Sequence, residues 1–435
     1  MRVTLQISLE STANIKQQLL LWSQHYHEVA WLDSNNYQQQ YSEYDAILAV
    51  EALTVLQTDY VNAFQQLDEY QKMTNDWIFG YLSYDLKNDV ENLVSQNYDG
   101  LDFPELYFFQ PKKLFLLKGN TLELLYLLMV EDEMEADVQA ILNTKIDQEV
   151  FTHDDSNKEH RPKIKLRIHK DEYHEKVTQL LAHIHRGDIY EANFCQEFYA
   201  EDSEIDPLST YTHLNSISKP PFATYMRLSD KYILSASPER YIKKKGTKIT
   251  SQPIKGTAKR LENPTEDSEI ATALQNDVKE RAENVMIVDL VRNDLAKTAI
   301  KGSVKVEELC KVYTFKQVHQ MISTVTSEVS ATQNPVEILQ TTFPMGSMTG
   351  APKISAMHII ENLEETKRGI YSGAIGYFTP ENDFDFNVVI RSILYNSSKK
   401  YVSYSVGGAI TAKSIPEKEY EECLIKAKAM REVLE

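Results

Sequence analysis

The sequence predicts an α+β fold built on antiparallel sheet, and three observations carry that prediction. Strand-like runs in the C-terminal third are joined by short connections, which favour antiparallel pairing. Helical patterns stand beside blocks of strands instead of alternating with them one for one, which argues against a doubly wound parallel sheet. The chain has 435 residues, 42% of them hydrophobic and 25% charged, enough for a large core and two or three domains.

In chain order, short strands are expected over residues 44–50, 77–84, 114–117 and 122–130, separated by polar connections rich in Gln and Asn. Residues 147–162 are polar, charged and poor in apolar side chains. They divide an N-terminal region (1–150) from a C-terminal domain (163–435) through a linker at 151–162. The next segment, 171–186, places Tyr173, Val177, Leu180, Leu181 and Ile184 at helical spacing, and Gly187-Asp188 stops it. Strands follow at 223–228, 232–236 and 241–244. A long helical pattern starts near Glu266 and passes through Asn284. A Gly-rich turn at 346–352 leads into a helix to about Glu365. Strands at 372–378, 386–395 and 401–410 and a last helix over 416–434 complete the pattern.

The formal net charge of −18 excludes a nucleic-acid binder of the usual kind, which meets phosphate with a positive field. An acidic chain that binds a small dianion must gather cations locally, and a metal ion would help. No apolar run approaches the roughly 20 residues that span a bilayer. The first ten residues lack the apolar core of a secretory signal. Cys195, Cys310 and Cys423 show no metal or redox spacing. A reducing cytoplasm, away from any membrane, is the expectation.

Four groupings could carry chemistry. Glu280 and Glu283 sit three apart in one predicted helix, and Glu419 and Glu422 in another. Residues at i and i+3 share a helix face, so each pair can aim two carboxylates at one point. Oxygen ligands suit Mg²⁺, although two solvated acidic faces would look the same, and Lys426 fits an ordinary i,i+4 partner of Glu422. In Pro253-Ile254-Lys255-Gly256-Thr257 a lysine is pinned in a predicted turn, where a desolvated amine can be a nucleophile and a surface lysine is the commoner case. Gly346-Ser347-Met348-Thr349-Gly350-Ala351-Pro352-Lys353 reads either as an anion-binding helix entry or as a plain one. Arg391, in the predicted strand over 386–395, needs a carboxylate from a substrate or from the protein. His319 is by default structural.

The order and wording of these blocks say more than each alone. Gly187-Asp188-Ile189-Tyr190, Ser237-Pro238-Glu239-Arg240, Pro253-Ile254-Lys255-Gly256-Thr257, Glu283-Asn284-Val285-Met286 through Asn293-Asp294, Gly350-Ala351-Pro352-Lys353 and Gly373-Ala374-Ile375-Gly376-Tyr377 resemble the signature blocks of the chorismate-utilising enzymes. That family includes anthranilate, aminodeoxychorismate, isochorismate and salicylate synthases, and the match covers about Lys163 to the C-terminus. The resemblance implies antiparallel sheets packed as a sandwich with flanking helices. It implies Glu283 and Glu422 as Mg²⁺ ligands, with Glu280 and Glu419 holding metal-bound water. It implies Glu239 as the acid that protonates the departing C4 hydroxyl, and His319 as an active-site histidine. Gly256, Thr257, Ser347, Tyr377, Arg391, Gly407, Gly408 and Lys426 match substrate-binding positions. Trp31-Leu32-Asp33-Ser34 looks like the place where relatives carry a tryptophan-pocket serine, here Ser34.

Lys255 decides between members. Aminodeoxychorismate synthases are similar to this chain in Pro-Ile-Lys-Gly-Thr, whereas anthranilate synthases typically carry alanine at that lysine. The resemblance implies amination of chorismate at C4 by way of a covalent Lys255 adduct, on the route to p-aminobenzoate and folate. The alternatives are an anthranilate synthase component I and a non-catalytic ligand-binding member. Glu191, where isochorismate and salicylate synthases usually have a base lysine and aminodeoxychorismate synthases a glutamine, departs from the pattern, as does Val406, where relatives often have glycine. No glutaminase signature is visible, so ammonia is expected to be free or to come from a separate glutamine amidotransferase subunit.

Overall fold

The computed structural model describes residues 1–37, 43–146, 161–315 and 318–435. The first part contains β1 (Arg2–Ser8), α1 (Ile15–Trp22), β2 (Glu28–Asp33), β3 (Ala46–Thr58), α2 (Ala63–Thr74), β4 (Ile78–Leu82), α3 (Lys87–Val90), β5 (Leu106–Lys118), β6 (Thr121–Leu127) and α4 (Met134–Asn143). The middle holds β7 (Lys165–Leu166), α5 (Lys170–Arg186), β8 (Glu191–Ala200), α6 (Pro207–Ser218), β9 (Phe222–Leu228), β10 (Lys231–Ser237), β11 (Arg240–Lys245), β12 (Lys248–Gln252), β13 (Ile254–Lys259), α7 (Pro264–Asn276) and α8 (Val278–Ala296). The last part holds β14 (Lys305–Thr314), β15 (Val318–Glu328), α9 (Pro335–Thr342), β16 (Gly350–Ala351), α10 (Lys353–Leu363), β17 (Ala374–Phe378), β18 (Phe384–Val388), β19 (Ser392–Asn396), β20 (Tyr401–Thr411) and α11 (Pro416–Leu434).

The named strands pair antiparallel along two arms that meet at β5. One arm runs β5–β3–β2–β9–β10–β19–β20–β8. The other runs β5–β4–β17–β18–β11–β12–β15, with β13 and β14 also on β15. Inward-facing side chains of both arms, among them Ile47, Phe79, Phe109, Met226, Ile233, Ile375 and Leu394, form one apolar layer between them. Helices cover the outer faces: α1, α4, α6 and α11 over the first arm, α2, α8 and α9 over the second. α5 and α10 close the end at β8 and β20. This is the expected sandwich with flanking helices.

Strands from residues 1–150 pair with strands from 163–435, β2 with β9 and β4 with β17, so the first region completes both arms. The expected linker lies outside the described residues except for 161 and 162. No described helix is long and apolar enough to cross a membrane.

Three local expectations change. The helical pattern through Glu266 and Asn284 is two helices, broken at Asp277, whose side chain caps α8 by accepting from the Glu280 N–H at 2.9 Å. The strand expected over 386–395 is two strands, β18 in one arm and β19 in the other. Arg391 stands at the corner between them with φ +52°. The lysine-bearing turn at 253–257 is the start of strand β13.

Candidate active site

The site forms where β13, β8, α8, α11 and the β10–β11 turn meet. Lys255 owes its placement to a bulge. Along β13, Ile254 pairs with Ile322 and Thr257 with Gln320, so β13 carries one residue more than β15 over this stretch. Gly256 takes the positive φ, +85°, that the irregularity needs. The Lys255 amine points inward and meets Glu191 of β8, with Nζ to Oε1 at 3.3 Å. Glu191 is 1% exposed, and its Oε2 has no hydrogen-bond partner.

Glu239, 5% exposed, sits in the turn between β10 and β11. Its backbone carbonyl accepts from the Val388 N–H at 3.0 Å, and Arg391 O accepts from the Ala236 N–H at 3.1 Å, so the corner residue is stitched to the acid. Burial pushes the Glu239 carboxyl up to about 7, against the opposing pull of the Ser347 hydroxyl, Lys255, the Ile254 N–H and Arg391. It is therefore half protonated near neutrality. Burial lowers the pKa of Arg391 and Glu239 raises it. The Arg391 guanidinium makes no hydrogen bond or ion pair with another described residue, so it is free to take a carboxylate.

A buried ion pair holds this frame. Arg368 pairs with Glu364 at 2.7 Å and donates to Met348 O and to Asn193 O, both at 2.6 Å. It thus ties the Ser347 turn to the strand that carries Glu191. Lys353 is taken up by Asp294 at 2.5 Å and by the Thr342 and Pro344 carbonyls. The Gly346–Lys353 turn is thereby anchored as a helix entry.

The two glutamate pairs face each other across α8 and α11. Gly256 and Gly408 leave the room between: a Cβ at Gly256 would come 3.1 Å from Glu280 Oε2, and one at Gly408 3.6 Å from Glu419 Oε2 and 3.9 Å from Glu422 Oε1. Gly407, whose Cβ would meet Cys195 Sγ at 2.4 Å, lets β20 close on β8. Burial pushes Glu283 up to about 7 and also raises Glu280 and Glu419. Burial pushes Glu422 up too, but Lys426, 2.8 Å away, outweighs it and holds that carboxylate below its ordinary value. Lys426 also donates to Gly407 O at 3.0 Å. Glu283 Oε1 is buried without a hydrogen-bond partner. An oxygen-only donor set that includes a carboxylate oxygen without a hydrogen bond fits Mg²⁺, which keeps several waters and needs few protein ligands. Among the described residues, no group of three or more Asp, Glu, His or Cys side chains stands close enough together to hold a metal ion, so the fit rests on few protein ligands.

Sequence reasoning missed Lys279. Its Nζ lies 3.7 Å from Glu283 Oε1 and 3.9 Å from Glu419 Oε1, so it links α8 to α11. A helix-surface lysine carries no signal of this in the sequence, because its partner Glu419 lies on another helix. An ammonium here opposes a divalent cation on the same carboxylates. Lys279→Ala is expected to strengthen Mg²⁺ binding by up to about fivefold, the worth of a part-exposed ion pair. With Mg²⁺ on these carboxylates, as the resemblance implies, the variant should also show a larger rise in Tm with Mg²⁺ than the parent. Melting curves against Mg²⁺ check this, and equal Mg²⁺ responses in parent and variant would rule it out.

Tyr377 packs tilted against Trp77 and Phe79, with ring centroids 5.5 Å from each, and lines a pocket with Ser34, Phe222 and Asn387. Its ring belongs to the sandwich interior. Ser34, expected to mark a tryptophan pocket, donates to Asp45 O at 3.0 Å. His319 is 1% exposed, with Nδ1 2.9 Å from Thr314 Oγ1 and Nε2 3.0 Å from Asp267. It braces β15 against α7, and both ring nitrogens are occupied. Thr257 is exposed beyond the bulge.

Fold and site together define a two-armed antiparallel sandwich that gathers a part-buried lysine and buried acids at one end. Residues 26–432 match the chorismate binding enzyme family, and the chain belongs to it. It is 41% identical over 266 residues to aminodeoxychorismate synthase component 1 of Escherichia coli K12, covering 61% of this chain and 58% of that relative's length. It is 33% identical to an anthranilate synthase component I-like protein of Synechocystis, covering 86% of this chain and 76% of the relative. The crystal structure of anthranilate synthase component I from Streptococcus pneumoniae TIGR4 superposes with a TM-score of 0.77 at 25% identity, covering 91% of this chain and 95% of that one.

Proposed function

We propose that this chain aminates chorismate at C4 with ammonia, giving 4-amino-4-deoxychorismate, on the route to p-aminobenzoate. The observation that carries this reading is the part-buried Lys255, which its bulge brings against Glu191 and within electrostatic reach of Glu239. The Escherichia coli relative named aminodeoxychorismate synthase component 1 supports it.

In this reading Arg391 takes one substrate carboxylate. Mg²⁺, held by Glu283 and Glu422 with Glu280 and Glu419 on its waters, supplies positive charge and Lewis acidity for another. The free Lys255 amine attacks C2, forming a C2–N bond as the ring double bond shifts and the C4–O bond breaks. Protonated Glu239 gives its proton to the leaving hydroxyl, which departs as water. Ammonia then bonds to C4, the double bond returns, and Lys255 leaves C2 as an amine. Ammonia is free or comes from a separate glutamine amidotransferase subunit, in keeping with the relative's designation as component 1. The net charge of −18 fits a small-molecule enzyme of the cytoplasm without nucleic-acid partners.

The test is mass-spectrometric product analysis with chorismate, Mg²⁺ and ammonium. Aminodeoxychorismate is the expected product. Anthranilate would instead favour the second reading, for which the Synechocystis and Streptococcus relatives speak.

A further inference from the structure

Glu191 has no part in the proposed bond-making, yet it is the acid in direct contact with the nucleophile. The charged groups facing Lys255 come from four elements: Glu191 from β8, Glu239 from the β10–β11 turn, Glu283 and Glu280 from α8, and Glu422 from α11, the last three being part of the proposed Mg²⁺ site. Glu239 must be protonated to act as an acid, and Glu283 is the proposed Mg²⁺ ligand. Glu191 therefore remains as the standing counter-charge of the amine.

Its placement is rigid. Glu191 pairs across to Thr411 of β20 and to Ala351 of β16, and the neighbouring Tyr190 N–H donates to Ala351 O at 2.6 Å. At 1% exposure, with one oxygen 3.3 Å from Lys255 Nζ and the other without a hydrogen bond, the carboxylate has no second cation within ion-pair distance among the described residues.

We infer that Glu191 is a positioning residue that clamps the Lys255 amine as an ammonium and so sets how alkaline the medium must be before that amine is free. The inference deepens the proposed function and rests on Lys255 being its nucleophile. Burial by itself pulls the amine down, but Glu191, Glu283 and Glu239 together leave it above its ordinary value. An opposite charge at this range moves a titration by about 1–3 units.

The experiment is competitive acylation of folded, metal-free protein with an amine-selective reagent across alkaline pH. Labelling of Lys255 is read by mass spectrometry against exposed Lys301 as reference. Removing metal with EDTA keeps Mg²⁺ out of the readout. In Glu191→Gln the Lys255 midpoint is expected to fall by about 1–3 units while that of Lys301 stays put. Glu191→Asp, with its carboxylate one methylene farther off, should fall between parent and Gln variant. An unchanged midpoint in a folded Gln variant overturns the inference. If the Gln variant fails to fold, an unchanged midpoint in the Asp variant does the same. Labelling reports the charge of the amine whether or not it turns over. A shifted midpoint in Glu191→Gln, together with C4 amination persisting in Lys255→Ala, would keep the clamp and discard the nucleophile.

Discussion

Lys255→Ala is expected to cut C4 amination by about 10³-fold or more, because it removes the group that forms the bond to C2. Any residual product should be anthranilate, since ammonia can then attack C2 directly. Truncation also strands Glu191, which is 1% exposed and loses its cation. A buried carboxylate without a partner is costly, so Lys255→Ala should melt at a lower temperature than the parent. Adding Glu191→Gln should restore much of that stability and none of the C4 amination. The double variant thus separates chemistry from folding. Amination of C4 at the parental rate by a folded Lys255→Ala protein would remove the covalent route.

Glu239→Gln should cost about 10²–10⁴ in kcat, the usual worth of a general acid. It should also make the protein more stable above neutrality. In the folded state Glu239 titrates at about 7, raised from 4.5 by burial. A raised carboxyl favours the protonated native state, so a stability cost sets in as pH climbs above the unfolded value. It is complete once pH exceeds the folded one. At about pH 8 the cost is on the order of 3 kcal/mol, and glutamine removes it. The variant's gain in Tm should therefore be clear at about pH 8 and nearly absent at about pH 5. An equal gain at both values would mean that the carboxyl of Glu239 titrates normally.

Much of the site could be read from sequence because it depends on local periodicity. Glu280 and Glu283 share a face of α8 and Glu419 and Glu422 a face of α11, since residues three apart neighbour each other on a helix. Gly187 ends α5 in the left-handed conformation that the Gly-Asp signal predicts. The last helix runs over 416–434 as expected, with Cys423, Ala427 and Met430 buried on its inner face. Each follows from residues within a few positions of one another, where the chain's own geometry decides.

What the sequence by itself determined is therefore the fold class, the helix faces and the family blocks. Only the tertiary structure decided how those pieces meet. Lys255 reads as a turn residue until β15, more than 60 positions on, pairs with β13 and forces the bulge. Arg391 reads as mid-strand until β18 and β19 are claimed by different arms, which turns it into a corner beside Glu239. Tyr377 and Ser34, far apart in the chain, line one pocket only because β17 and β2 lie in facing arms of the sandwich. Lys279 gains its role only because α8 lies against α11. Sheet register and helix docking are contacts between distant residues, fixed by the simultaneous burial of many apolar faces, and no local window of sequence contains them.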